Sequence, residues 1–160
     1  MFEYNKPQYM SNKLPVHAVI TGLFSVTPDQ VFNAFLDTRI MGQFMFGPGV
    51  RNDEEIISLD NEPIVGGKFT YSVLRQGNRF DHVGEYITID RPHHIVFTWS
   101  VKQDPTGSHS RVVIDIAEVI NGCELTLTHE MPPGSEDFVE LSKQAWGKMI
   151  DKLTEIIIRF

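Results

Sequence analysis

The feature that most constrains this chain is the way its apolar residues alternate. Phe69, Tyr71 and Val73 stand at every second position, with Lys68, Thr70 and Ser72 between them. Ile95, Phe97, Trp99 and Val101 repeat the pattern, as do Val112, Ile114 and Ile116, and then Leu125 and Leu127, continuing more weakly to His129 and Met131. Period two with one apolar face means strands of an antiparallel sheet covered on one side. A doubly wound parallel sheet would need continuous apolar stretches. The longest unbroken apolar runs here are three residues, such as Ile156-Ile157-Ile158. That also excludes a membrane-spanning helix, which needs about 20.

Short links join the alternating runs. Gly77-Asn78 and Asn121-Gly122 read as hairpin dipeptides. Arg91-Pro92 and Asp104-Pro105-Thr106-Gly107 mark two further turns. Residues 67–131 are therefore expected to form a five-strand meander. Val16–Phe24 reads as a first strand, with a short additional one near Ile56–Leu59. Helices flank the meander. Thr27-Pro28-Asp29 is a start signal, after which Val31, Phe32, Phe35 and Leu36 recur at helical spacing. That region ends near Asp37 to Phe44 as two short helices with a bend. After Pro132-Pro133-Gly134, Ser135 is placed to cap a long helix whose stripe is Phe138, Leu141, Ala145, Met149, Leu153 and Ile156. The expected fold class is α+β: a curved antiparallel sheet wrapped around a long C-terminal helix, with two short helices after the first strand. Residues 1–14 read as an arm and 15–160 as one domain. An apolar hollow between sheet and C-terminal helix is expected, because both apolar surfaces must meet there.

Composition narrows the partners. Fourteen Lys and Arg against 21 Asp and Glu give a net charge of −7, and no window holds a basic run. Phosphate recognition needs clustered cations, so a nucleic-acid partner is not expected. The single cysteine, Cys123, permits neither an internal disulfide nor a thiolate zinc site. The polar N-terminus lacks the apolar core of a secretory leader, so a cytoplasmic location is expected.

In this order along the chain, Val31–Asp37 with Phe46-Gly47-Pro48, Gly66-Gly67-Lys68-Phe69, Gly84-Glu85-Tyr86, Asp90-Arg91-Pro92, Val96-Phe97-Thr98-Trp99, Leu125–Glu130, and Trp146 with Asp151 and Leu153 carry a resemblance. The chain resembles the START-like, or SRPBCC, superfamily over roughly residues 15–158, and within it the activator of 90-kDa heat-shock protein ATPase homologue-like family. The resemblance implies a helix-grip fold with an internal cavity. It implies little chemistry, since relatives include lipid carriers, polyketide cyclases, hydrolase-like proteins and co-chaperone domains. Where family members often carry two Trp before the Gly-Pro, this chain has Met45 and Phe46.

No nucleophile elbow, phosphate loop, dinucleotide fingerprint or zinc-binding His-Glu pair is present. His93 and His94 would point to opposite faces of a strand, so they do not form a metal site together. No metal or other cofactor is expected. His129 continues the inward parity of Leu125 and Leu127. It reads either as an acid, base or ligand contact, or as a structural histidine bonded to a neighbouring strand or the helix, and the structural reading is favoured. His82 and Tyr86 share a parity and can line the same hollow. Glu85 beside Gly84 would turn inward if a bulge falls there, making an acid–base pair with His82 or His129. Phe35, Met41, Phe44, Phe46, Phe69, Tyr71, Phe97, Trp99, Trp146 and Met149 complete the candidate lining, with filled core as the competing reading. The expected function is binding of a small hydrophobic or amphipathic molecule, lipid- or polyketide-like. The rivals are a co-chaperone-like interaction domain and a cyclase- or hydrolase-type enzyme using a cavity histidine. An exposed sheet edge leaves room for a homodimer.

Overall fold

A computed structural model describes residues 14–160. The expected N-terminal arm therefore lies outside the described residues apart from Leu14, which is exposed. The chain begins with β1 (Val16–Phe24), followed by α1 (Pro28–Ala34) and α2 (Thr38–Phe44). Then come β2 (Glu54–Asn61), β3 (Lys68–Arg75), β4 (Asn78–Asp90), β5 (His94–Val101), β6 (Ser110–Val119) and β7 (Gly122–Met131), and finally α3 (Val139–Ile156). The strands make one seven-stranded sheet in the order β1-β7-β6-β5-β4-β3-β2, and every pairing is antiparallel. The period-two reading is confirmed by burial: Val112, Ile114, Ile116, Leu125 and Leu127 are buried and the residues between them are not.

Local chemistry fixes the two short helices. Thr27 and Gln30 form a reciprocal capping box ahead of α1, with Pro28 in the first turn. Asp37 caps α2 by accepting the Arg39 backbone N–H at 2.9 Å. These caps place Phe35 and Leu36 at the corner between the helices, where both are buried.

Two expectations shift. Both hairpin turns fall one residue earlier than read. Gln76 and Gly77 take positive φ, as does Asn121, while Gly122 is already in β7, its would-be Cβ position 1.9 Å from the Phe24 carbonyl oxygen. Only a residue without a side chain lets β1 and β7 meet there. The long helix starts later than Ser135 suggested. A 3₁₀ turn (Glu136–Phe138) precedes it, Ser135 makes no side-chain cap, and Phe138 and Leu141 are exposed. The buried stripe is Trp146, Met149, Ile150, Leu153 and Ile156. Glu85 keeps the outward parity, because the β4–β5 irregularity falls between Tyr86 and Thr88. At Gly84 a Cβ would stand 2.3 Å from the Phe69 ring, so that position is bare to seat the ring.

Helix α3 lies across β1 and beside α2. Close approach is set at Gly22, where a Cβ would come within 2.6 Å of the Ile150 side chain. No helix among the described residues is long and apolar enough to cross a membrane.

Candidate functional site

The expected hollow is largely filled. What remains is an apolar void of about 10 Å³, lined by Phe35, Met41, Met45, Phe69, Tyr71, Tyr86, Phe97 and Trp99. That volume holds about one water. It lies against the α1–α2 corner rather than against α3, which corrects the expected position between the sheet and the C-terminal helix. The reason is that α3 is drawn onto β1 at Gly22, while the Trp146 ring fills the space toward Trp99, 5.3 Å away between centroids.

Seven of the expected lining residues therefore meet at one place: Phe35, Met41, Phe69, Tyr71, Tyr86, Phe97 and Trp99. Phe69 is their hub. It stacks on Tyr71 at 4.6 Å and meets Phe97 edge-on at 5.6 Å. Phe44, Phe46, His82, His129, Trp146 and Met149 do not line the void. Phe44 packs edge-on against Phe35, and Phe46 rests on both Tyr71 and His82. Met45 is a lining residue that the sequence reading noted only as a departure from the family pattern. Its signal was position: it follows Met41 by one helical turn at the end of α2.

Two of the lining residues, Tyr71 and Tyr86, belong to a buried polar cluster. The Tyr71 and Tyr86 hydroxyls are 3.1 Å apart, and both residues are 98% buried. Asn61 Nδ2 donates to the Leu36 carbonyl at 2.9 Å and to Tyr86 Oη at 3.0 Å. The Leu36 carbonyl can only accept, which fixes the Asn61 amide with nitrogen toward the tyrosines. Burial pushes both phenols above their ordinary range, so both stay protonated. Asn61 was missed by sequence reasoning, since a lone Asn ending a strand reads as a turn residue. The Tyr86 hydroxyl lies inside, against Tyr71 and Asn61.

The two histidines of interest are held structurally. Ser110 Oγ donates to the Trp99 carbonyl at 2.8 Å, so it accepts from His129 Nε2 at 2.7 Å. His129 Nδ1 then accepts from Trp146 Nε1 at 3.2 Å and from Ser142 Oγ at 2.8 Å. Both ring nitrogens are engaged, and the ring ties β6 and β7 to α3. His82 Nδ1 donates to the Tyr71 carbonyl at 3.2 Å, with its ring 5.2 Å from both Phe46 and Trp99. Among the described residues no carboxylate bonds to either ring. The acid–base pair that a bulge at Gly84 would have made does not form, because Glu85 faces away from both.

Burial lowers the His129 pKa to about 4. The unfolded state, with an ordinary histidine pKa near 6.5, then takes up a proton that the native state refuses. Stability is fully present above about pH 6.5 and falls as pH drops toward 4. At pH 5 the expected loss from this ring is about 2 kcal/mol. Urea titrations at pH 7.5 and 5 should show a smaller pH slope for His129→Gln than for the wild type, since the amide does not titrate. Equal slopes would contradict the assignment. His82 is shifted in the same direction by burial and contributes the same sign in both proteins.

A buried carboxylate, Glu54, fixes the turn that follows α2. Glu54, whose side chain is fully buried, accepts from Arg75 Nη2 at 2.8 Å and Nε at 3.1 Å through one oxygen. Its other oxygen accepts the Gly47 N–H at 2.8 Å. The pair thus binds the turn after α2 to the β2–β3 hairpin. Neither residue was singled out from sequence.

A family model for "Activator of Hsp90 ATPase homolog 1-like protein" matches residues 25–157. Among curated proteins no match is found. Solved structures of similar fold include a protein from Chromobacterium violaceum, at 18% identity and TM-score 0.78, covering 88% of this chain and 96% of that one. A protein from Nitrosomonas europaea is 15% identical with TM-score 0.75, covering 90% and 95% of the two chains. One from Mycobacterium smegmatis is 16% identical with TM-score 0.71, covering 91% of each. At such identities the likeness extends to fold alone.

Proposed function

Since the chain belongs to the Activator of Hsp90 ATPase homolog 1-like protein family, we propose that it binds a small, largely apolar molecule in the void between the sheet and α2. The observation that carries this reading is the wall itself: six aromatic side chains and two methionines converge on one point. The aromatic rings form a rigid floor on the sheet. Met41 and Met45 are the adaptable side, since an unbranched thioether changes rotamer at small cost. A ligand larger than one water enters by displacing them. Trp99, only partly buried, borders the void and gives it an optical reporter.

The test is a thermal-shift and native mass-spectrometry screen with indole, acetophenone, decanol and cholesterol. A ligand present at 100 times its Kd adds about 2.7 kcal/mol. For a domain of this size that raises Tm by about 5–10 °C. No shift and no bound mass with any of them would end this reading. Met45→Ala sharpens the test. It should cost about 2–4 kcal/mol in urea unfolding, because it empties packed volume. In the same screen it should favour larger ligands than the wild type accepts.

The co-chaperone reading rests on Phe138 and Leu141, exposed by 58% and 62% at the start of α3. An ATPase assay of the 90-kDa chaperone separates it from ligand binding. Ligand binding predicts no stimulation; stimulation lost in Phe138→Ser would support the co-chaperone reading instead.

A further inference from the structure

The Tyr71–Tyr86–Asn61 cluster contains one hydrogen more than it can place. Both Asn61 amide hydrogens are assigned, one to the Leu36 carbonyl and one to Tyr86 Oη. Two phenolic hydrogens remain, and the tyrosines share a single hydrogen bond with each other. If Tyr86 donates to Tyr71, the Tyr71 hydrogen has no acceptor; if Tyr71 donates, the Tyr86 hydrogen has none. In either arrangement one O–H lacks an acceptor among the described residues. Both rings line the void, both residues are 98% buried, and every other lining side chain is hydrocarbon, thioether or indole. Buried donors are rarely left unpaired in native proteins. The adjoining void holds about one water, which takes this hydrogen when no ligand is bound, so a ligand that displaces that water must offer an acceptor in its place.

We infer that the Tyr71–Tyr86 pair is a recognition site for one uncharged hydrogen-bond acceptor, a ketone or similar carbonyl oxygen, on an otherwise apolar ligand. This rests on the proposed small-molecule reading and adds the class of ligand. The chain of donors runs from Asn61 through one tyrosine to the other and then to the ligand oxygen, each bond polarising the next. An alcohol or amine ligand would bring a further hydrogen needing its own acceptor, which the lining does not supply. A carboxylate would bring a charge into a pocket lined without a cation, where its desolvation is not compensated.

The test compares acetophenone with ethylbenzene, which differ by a carbonyl in place of a methylene. The wild type should bind the ketone about tenfold more tightly, as sites built around a buried donor reject analogues lacking the acceptor. The infrared carbonyl stretch of bound acetophenone should lie below its value in hydrocarbon solvent. In Tyr71→Phe/Tyr86→Phe the preference and the infrared shift should both vanish, while ethylbenzene binding survives. Should that double variant not fold, Tyr71→Phe and Tyr86→Phe are each read by the infrared shift, and at least one must diminish it. Equal affinity for the two probes in the wild type, or a preference unchanged in the double variant, overturns the acceptor site and leaves the apolar-ligand reading intact. Failure of both probes to bind, together with the whole screening panel, overturns both.

Discussion

Trp146→Ala should lower the unfolding free energy by about 3–5 kcal/mol, the cost of truncating a large buried aromatic. The indole is 3% exposed, its ring meets Trp99 and His129, and its N–H ends on His129 Nδ1. Two losses combine: the volume between α3 and the sheet, and one of the bonds that hold His129. Trp146→Phe separates them. It keeps most of the ring and removes only the N–H, so it should cost about 1 kcal/mol for that bond, plus a smaller packing loss. Urea unfolding at pH 7.5 with an unchanged m-value reads both variants. A Trp146→Ala loss below 1 kcal/mol would mean that α3 does not depend on this ring for docking.

Arg75→Met should cost about 3 kcal/mol or more, because it strands the Glu54 carboxylate in a site with no exposure of its side chain. Arg51 is too distant to replace it fully, its Nε lying 3.8 Å from the same oxygen. Glu54→Gln should cost less than Arg75→Met. The Arg75 side chain is 29% exposed, so the freed guanidinium can take up water, and it still lies over the Phe80 ring at 5.0 Å. The amide oxygen of Gln can also keep the Gly47 N–H. This asymmetry distinguishes a desolvation penalty from the worth of the pair itself. Equal and small losses in the two variants would show that Glu54 is reached by water. The pair fixes the turn that follows Met45 and Phe46, so Arg75→Met should also weaken any ligand binding at the void.

Much of the fold was legible because it obeys short-range rules. The alternation in Phe69–Val73, Ile95–Val101 and Val112–Ile116 requires only that one sheet face be covered. Thr27-Pro28 and Asp37 are caps that act within three residues. The turn positions were read one residue late, because Gln76-Gly77 and Gly77-Asn78 are both plausible by residue type and only the pairing of Arg75 with Asn78 decides between them. The helix stripe was misread at Phe138 and Leu141, since periodicity gives a face but not how far along its length a helix is covered.

Seven of the residues expected at the hollow meet at the void, five of them through parity, which sends Phe69, Tyr71, Tyr86, Phe97 and Trp99 to one side of the sheet. What parity could not give was the partner on that side. The void sits against Met41 and Met45 because Gly22 lets α3 close onto β1, a contact between residues 128 positions apart along the chain. Asn61, Glu54 and Arg75 were invisible for the same reason. Each is a polar residue whose role exists only through partners far away in sequence. The sequence by itself therefore determined the sheet, its inward face and the apolar character of the interior, all of which follow from hydrophobic burial at fixed period. Only the tertiary structure decided how much of that interior stays open, where the opening lies, and that the tyrosine cluster beside it holds one hydrogen more than its own acceptors take. Packing density and hydrogen-bond closure depend on distances between segments, and no local pattern encodes them.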